Sequence, residues 1–300
     1  MSSDLIFFAS INVLMAWSVY LAWSAGLLTF GASAFMAIGC YAAGLLTVKA
    51  GWSMLPACFA GAAIAGLCGA IITYPALRTK GIYFILTTLG IAVSTQVLLE
   101  NIDSVGGTVG FGGMAGATAW HAVGAVLTVG ILLLILSQLP FKRLLDAVRQ
   151  DEQVAASMGI NIVLIKMIAV VASAVLAGFA GGLYGHYLTF VRPDTFGIII
   201  ATYSVMYVIL GGTSNFLGAA LGATLMTLLP EYIVFLQQWR PTVFAIAVIL
   251  MLWFRPQGLL TFNIRTAWLH PKKVSRWLRP GYLSDISGRY SRMFLKKDKP

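Results

Sequence analysis

Long stretches of the chain carry no Asp, Glu, Lys or Arg: 5–48, 51–77, 81–99, 104–141, 167–191 and 195–230. A helix needs about 20 mostly apolar residues to cross the hydrocarbon core of a bilayer. Each stretch supplies about that many, and the longest supply two crossings. Breakers divide them into eight or nine expected spans, at 5–25, 30–48, 53–77, 81–100, 119–139, 164–190, 197–212, 216–236 and 240–255. Gly26, Gly31, Gly39 and Gly44 punctuate the first two, so one early segment is either continuous or broken and re-entrant. Irregular backbone at membrane depth survives only where protein or a water-filled cavity covers it. The expected fold is an all-α integral membrane protein, a polytopic bundle of about 8–9 transmembrane segments.

Composition agrees with this pattern. Of 300 residues, 59% are hydrophobic and 10% charged, against about 25% charged in soluble domains. A charge at mid-helix costs about 2.5–3.5 kcal/mol on insertion, which explains where the charges went. Lys and Arg gather at Arg78 and Lys80, in the loop 141–166, and from Arg255 onward, which holds more than half of the 20 basic residues. The positive-inside rule puts these regions in the cytoplasm. The net charge of +10 then reflects topology and attraction to anionic membrane lipid. Nucleic-acid binding is excluded, because the basic residues flank spans and no nucleic-acid motif accompanies them. Residues 1–4 lack the basic start of a cleavable signal, so the first segment is expected to persist. Nine spans would put the N-terminus outside and eight would put it inside.

The expected organisation is a transmembrane domain over 1–260 and a basic cytoplasmic tail over 261–300. In the tail Trp268, Trp277 and Tyr282 alternate with basic residues. A segment lying at the membrane interface and a solvated tail both fit. Small residues recur every four positions at Ala57, Gly61, Ala65 and Gly69, at Ala174, Gly178 and Gly182, and at Gly218 and Gly222. That spacing lines one helix face and lets helices approach closely. Gly106-Gly107-Thr108 with Phe111 and Gly113 recurs as Gly211-Gly212-Thr213 with Phe216 and Gly218. The two copies are expected on opposite faces of the membrane, as an inverted repeat would give and as chance in Gly-rich sequence would also give.

Most catalytic chemistry is absent. No Lys follows a Gly, so there is no phosphate loop of the G-x-x-x-x-G-K type, and this chain is not itself an ATPase. His121, His186 and His270 stand alone, without carboxylate or Cys at ligand spacing. Cys40, Cys58 and Cys68 lie in apolar sequence and suggest neither disulfides nor a metal site. No cofactor, metal or catalytic residue is expected. His186 shares a face with Gly178 and Gly182 and either packs there or lines a pathway. The spans also lack the ionisable residues of an ion relay, which disfavours an ion-coupled secondary transporter. Tyr83, Thr87 and Thr88 are polar groups inside a charge-free span. They either meet a solute or make interhelical hydrogen bonds.

The loop 141–166 has the form of a docking surface. Leu144, Leu145 and Val148 share one helical face. Asp151 and Glu152 suit the start of a second helix, whose apolar face is Val154, Ala155 and Met158, with Gly159 as its stop. Two short amphipathic helices of this kind can seat in a groove on a partner.

This loop carries a resemblance. Ala147 through Glu152, then Ala155-Ala156, Gly159-Ile160-Asn161 and Lys166, resemble the coupling loop of branched-chain amino acid ABC transporter permeases, M-type subunit. Thr29-Phe30-Gly31, Phe35 through Tyr41, Arg78 through Gly81, Thr87 through Gly90, Ala177 through Leu183, Ile209 through Gly212, Leu229-Pro230-Glu231 and Arg255 through Leu259 extend it over about residues 5–260. The resemblance implies a bacterial inner-membrane importer. A second, H-type permease would pair with this chain. Two ATPase subunits would dock on Arg149, Gln150, Asp151, Glu152, Ala155, Ala156 and Gly159, and a periplasmic substrate-binding protein would deliver a branched-chain or related amino acid. Relatives associated with urea, short amides and aromatic acids keep those cargoes open. Leu145-Asp146 and Gln150 depart from the family's usual charges at this loop.

Overall fold

A computed structural model describes residues 2–79, 81–213 and 215–232, with isolated positions beyond. The span expected at 240–255 and the basic tail lie outside the described residues, save for those isolated positions. Ten helices form among the described residues: α1 (Ser2–Ser24), α2 (Ala32–Val48), α3 (Met54–Ala76), α4 (Ile82–Glu100), α5 (Ala119–Gln138), α6 (Pro140–Gln150), α7 (Glu152–Ser157), α8 (Ile162–Leu188), α9 (Ile198–Gly211) and α10 (Phe216–Tyr232). Two short strands, β1 (Phe111–Gly112) and β2 (Phe190–Val191), pair antiparallel. Among the described residues six helical segments are long and apolar enough to cross a membrane: α1, α3, α4, α5, α8, and α9 with the 3₁₀ turn before it. Two shorter apolar helices, α2 and the first part of α10, accompany them. The protein is therefore a multi-pass helical membrane protein.

The early break falls between helices. At the end of α1 the amides of Gly26 and Leu27 reach back to the carbonyls of Trp23 and Ala22, at 2.9 and 3.2 Å. This is the Schellman closure, which asks for a left-handed residue at Gly26, and its φ is +80°. The connection to α2 is buried at Ala25, Leu27 and Thr29. Buried backbone needs partners, and threonines supply two of them. Phe30 N–H donates to the Thr88 hydroxyl at 3.2 Å, and Gly31 N–H to that of Thr29 at 3.0 Å. Gly39 and Gly44, suspected breakers, lie inside an unbroken α2.

Their reason is packing. α8 is the central helix, in contact with α1, α2 and α3. A methyl group on Gly39 would overlap the backbone of Gly178, and one on Gly181 would overlap that of Met36. A Cβ on Gly61 would lie 2.6 Å from the Gly39 carbonyl, one on Gly69 2.6 Å from Ala174, and one on Gly178 2.5 Å from Ala65. The four-residue spacings therefore line the α3–α8 seam. The α9–α10 pair closes in the same way, at Gly211, Gly218 and Gly222.

Several polar side chains pair between the helices. Ser18 donates to the Ser173 carbonyl at 2.9 Å, Trp17 Nε1 to that of Phe216 at 2.8 Å, and Asn12 to the Thr227 hydroxyl at 2.9 Å. His186 is packed. Its Nδ1 lies 2.7 Å from the Gly182 carbonyl and its Nε2 3.2 Å from the Thr47 hydroxyl. The cysteines are free.

The start of α1 sits beside the end of α8, where Tyr187 donates to Asp4 and stacks on Phe7 at 3.6 Å. That end carries the β1–β2 pair, and α6 and α7 lie at the other. The two Gly-Gly-Thr segments do fall at opposite ends, but they differ locally. Gly106 follows a 3₁₀ turn and leads to β1, whereas Gly211 ends α9 and Phe216 begins α10.

Overpacking a tight core costs about 1–3 kcal/mol. Gly39→Ala should lower the monodisperse fraction on size-exclusion chromatography in detergent. Gly124→Ala, at a position with nothing within 4 Å, should leave it unchanged.

Candidate functional site

The segment joining α5 to α8 is tethered on one side and open on the other. Leu139 is extended and Pro140 opens α6, where its missing N–H costs nothing. Phe141, Leu145 and Val148, spaced by four and three, turn the same face inward. Leu145 and Val148 are buried with Ala25 of the α1–α2 connection, Ala155 of α7, and Ile165 and Ala169 of α8. Leu144, expected on this face, is 37% exposed, because it stands a full 100° step away from Leu145.

Asp151 caps α7, its Oδ1 accepting from Gln153 N–H at 2.8 Å and Val154 N–H at 3.1 Å. Gly159 (φ +81°) ends it, with Gly159 and Ile160 amides returning to Ala156 and Ala155 carbonyls at 2.9 and 3.2 Å. Glu152 pairs with Lys166 of α8 at 2.5 Å. Asn161 caps α8 through the amide of Leu164 at 3.1 Å.

The expected apolar face of α7 divides. Ala155 is buried, but Val154 and Met158 are 55% and 74% exposed. A helix this short touches α8 along one line, and that line is centred on Ala155. Gln150, Ala156 and Gly159 are exposed beside Val154 and Met158, and a Cβ on Gly159 would meet nothing within 4 Å. Arg149 turns the other way and donates from Nη1 to the Thr213 carbonyl at 3.1 Å. All seven expected coupling residues therefore lie on one short segment. Ala155, Arg149 and Glu152 are engaged within the chain, while Gln150, Ala156 and Gly159 face outward. The outward Val154 and Met158 and the partner carbonyl of Thr213 were not legible as such, since i, i+4 spacing alone does not say which side of a short helix meets its neighbour.

The three pathway candidates separate. Thr88 is 5% exposed, donates to the Ile85 carbonyl at 2.9 Å and accepts from Phe30 N–H. It lines a small cavity with Thr29, Phe35, Thr73 and Phe84. Tyr83 is 69% exposed on another side of α4. Thr87 is half-exposed there and donates to the Tyr83 carbonyl at 2.8 Å. Gly90 and Ser94 continue this outer side of α4. Among the described residues no cluster of His, Cys, Asp or Glu could hold a metal.

This glycine-packed bundle of apolar helices, with one short amphipathic helix pair, is that of a multi-pass helical membrane protein. The family described as branched-chain amino acid transport system / permease component matches residues 1–254, and the chain belongs to it. The chain is 30% identical to the high-affinity branched-chain amino acid transport system permease protein LivM of Escherichia coli, and 29% to that of Salmonella typhimurium. Each match covers 79% of this chain and 64% of the relative. A probable branched-chain amino acid transport permease protein LivM of Methanocaldococcus jannaschii is 28% identical, over 66% of each chain. The chain thus matches a little under two thirds of the length of the bacterial relatives. No solved structure matches.

Removing an N-cap costs about 0.5–2 kcal/mol. Asp151→Ala should fray α7, seen as faster amide hydrogen exchange over residues 152–158, while Asp151→Asn should exchange nearly as the parent does.

Proposed function

We propose that this chain is the membrane-spanning permease subunit of an ATP-driven importer in a bacterial inner membrane. It would pair with a second, H-type permease and two ATPase subunits, and move a branched-chain or related amino acid delivered by a periplasmic binding protein. The observation that carries this reading is the α7 surface. Val154 and Met158 are apolar and exposed on a segment whose other side is capped, ion-paired and buried. That surface sits outside the membrane helices and suits an ATPase groove, with Gln150, Asp151, Ala156 and open Gly159 around it. Family membership supports the same partner. With this surface in the cytoplasm, the start of α1 would face outside.

Solute would pass beside α4 rather than through the glycine seams, which leave no room between backbones. Tyr83 and Thr87 are the pathway residues this favours, and Thr88 serves the α1–α2 connection instead. Hydroxyls without charge suit zwitterionic or neutral solutes.

Burying a new charge at the centre of a docking site costs well over 1.4 kcal/mol, or tenfold in affinity. Met158→Glu should therefore cut recovery of the ATPase subunits with the purified permease by about tenfold, without lowering membrane insertion of the chain. Undiminished recovery would remove α7 as the docking site. Deleting the chain should abolish uptake of labelled leucine. Loss of labelled urea uptake instead would assign the machine to amides.

A further inference from the structure

We propose that Arg149 is a positioning residue for transport, a tie that passes displacement of the α7 surface into the α9–α10 turn and the α1–α2 connection. This rests on the importer reading above. Docking at α7 moves solute only if the displacement reaches the membrane helices. Beyond the Glu152–Lys166 pair and Lys142 over the Tyr20 ring, two sets of contacts leave this segment for them. One is the buried cluster, in which Leu145 and Val148 of α6 sit against Ala25, Ile165 and Ala169. The other is Arg149, at the last turn of α6.

Arg149 touches two inner connections at once. Its backbone lies across Gly26, where a Cβ would stand 3.4 Å from the Arg149 Cα. Its guanidinium donates to the Thr213 carbonyl at 3.1 Å, between α9 and α10. Among the described residues Arg149 forms no ion pair, and its side chain is held by this turn. Beside this turn Gly211 and Gly218 hold α9 and α10 at backbone contact. α10 is in turn bonded to α1 through Trp17 and Asn12. A pull on Arg149 therefore acts on α1, α9 and α10 together. The rigid fork of an arginine holds a carbonyl at fixed geometry, whereas a lysine keeps the charge on a flexible stem.

The test uses the assembled importer, with both permeases and both ATPases, in proteoliposomes loaded with ATP on the ATPase side. Two readouts are taken: recovery of ATPase with the permease, and solute moved per ATP hydrolysed. Arg149→Ala should keep the ATPases bound and lower solute per ATP about fivefold, the weight of one lost hydrogen bond. Arg149→Lys should restore most of it. Loss of the ATPases in Arg149→Ala would overturn the proposal, since Arg149 would then be a docking contact. An unchanged ratio would overturn it too. If Arg149→Ala lowers the yield, Arg149→Met, which keeps the stem and removes the donors, is read by the same two criteria. A parent assembly that moved solute without ATP would overturn the importer reading itself, and the tie with it.

Discussion

The fold depends on helices approaching to backbone contact. In a bilayer the hydrophobic effect gives helices no reason to associate, so close packing has to supply it. Here α8 meets α2 and α3 along glycine and alanine, with Gly39 facing Gly178 and Gly61 set under the Gly39 carbonyl. Larger residues there would separate the helices and forfeit the many weak contacts that hold them. The same device closes α9 on α10. Three interhelical hydrogen bonds, from Trp17, Asn12 and Ser18, then fix how α1 sits against α10 and α8.

This packing also bears on the proposed function. Seams closed at the backbone leave no room between those helices, and the passage proposed above therefore runs along the outer side of α4, past Tyr83 and Thr87. In the proposed importer, energy enters at one end. α6 and α7 lie outside the membrane helices, yet Leu145, Val148 and Ala155 root them in the ends of α1 and α8. The arrangement combines an exposed edge, Val154 and Met158, with a base that cannot move alone.

Much of this was legible in the sequence, because hydrocarbon imposes simple rules. Charge-free runs located the spans to within a few residues for α1, α3, α4, α5 and α8. Four-residue spacing of Gly and Ala located the α3–α8 seam, and Gly159 marked the end of α7. What sequence left open was the direction of short elements. Leu144 and Met158 share the apolar character of Leu145 and Ala155, yet only tertiary contact decides which pair turns inward. Gly39 and Gly44 looked like helix breakers because glycine weakens isolated helices. In place Gly39 is required by Gly178, and Gly44 by Phe111 and Met114, all distant in sequence. Thr88 and Tyr83 are close in sequence but lie on different sides of α4, and the partner of Thr88 in the α1–α2 connection could not be read from spacing.

The central claim is that this chain provides a passage whose energy arrives from separate subunits. The most direct measurement is uptake of labelled leucine into proteoliposomes holding the purified chain, alone or with the second permease, the ATPases and the binding protein. The account predicts uptake only in the full assembly and only with ATP on the ATPase side. Leucine movement by the chain alone, without ATP, would contradict it.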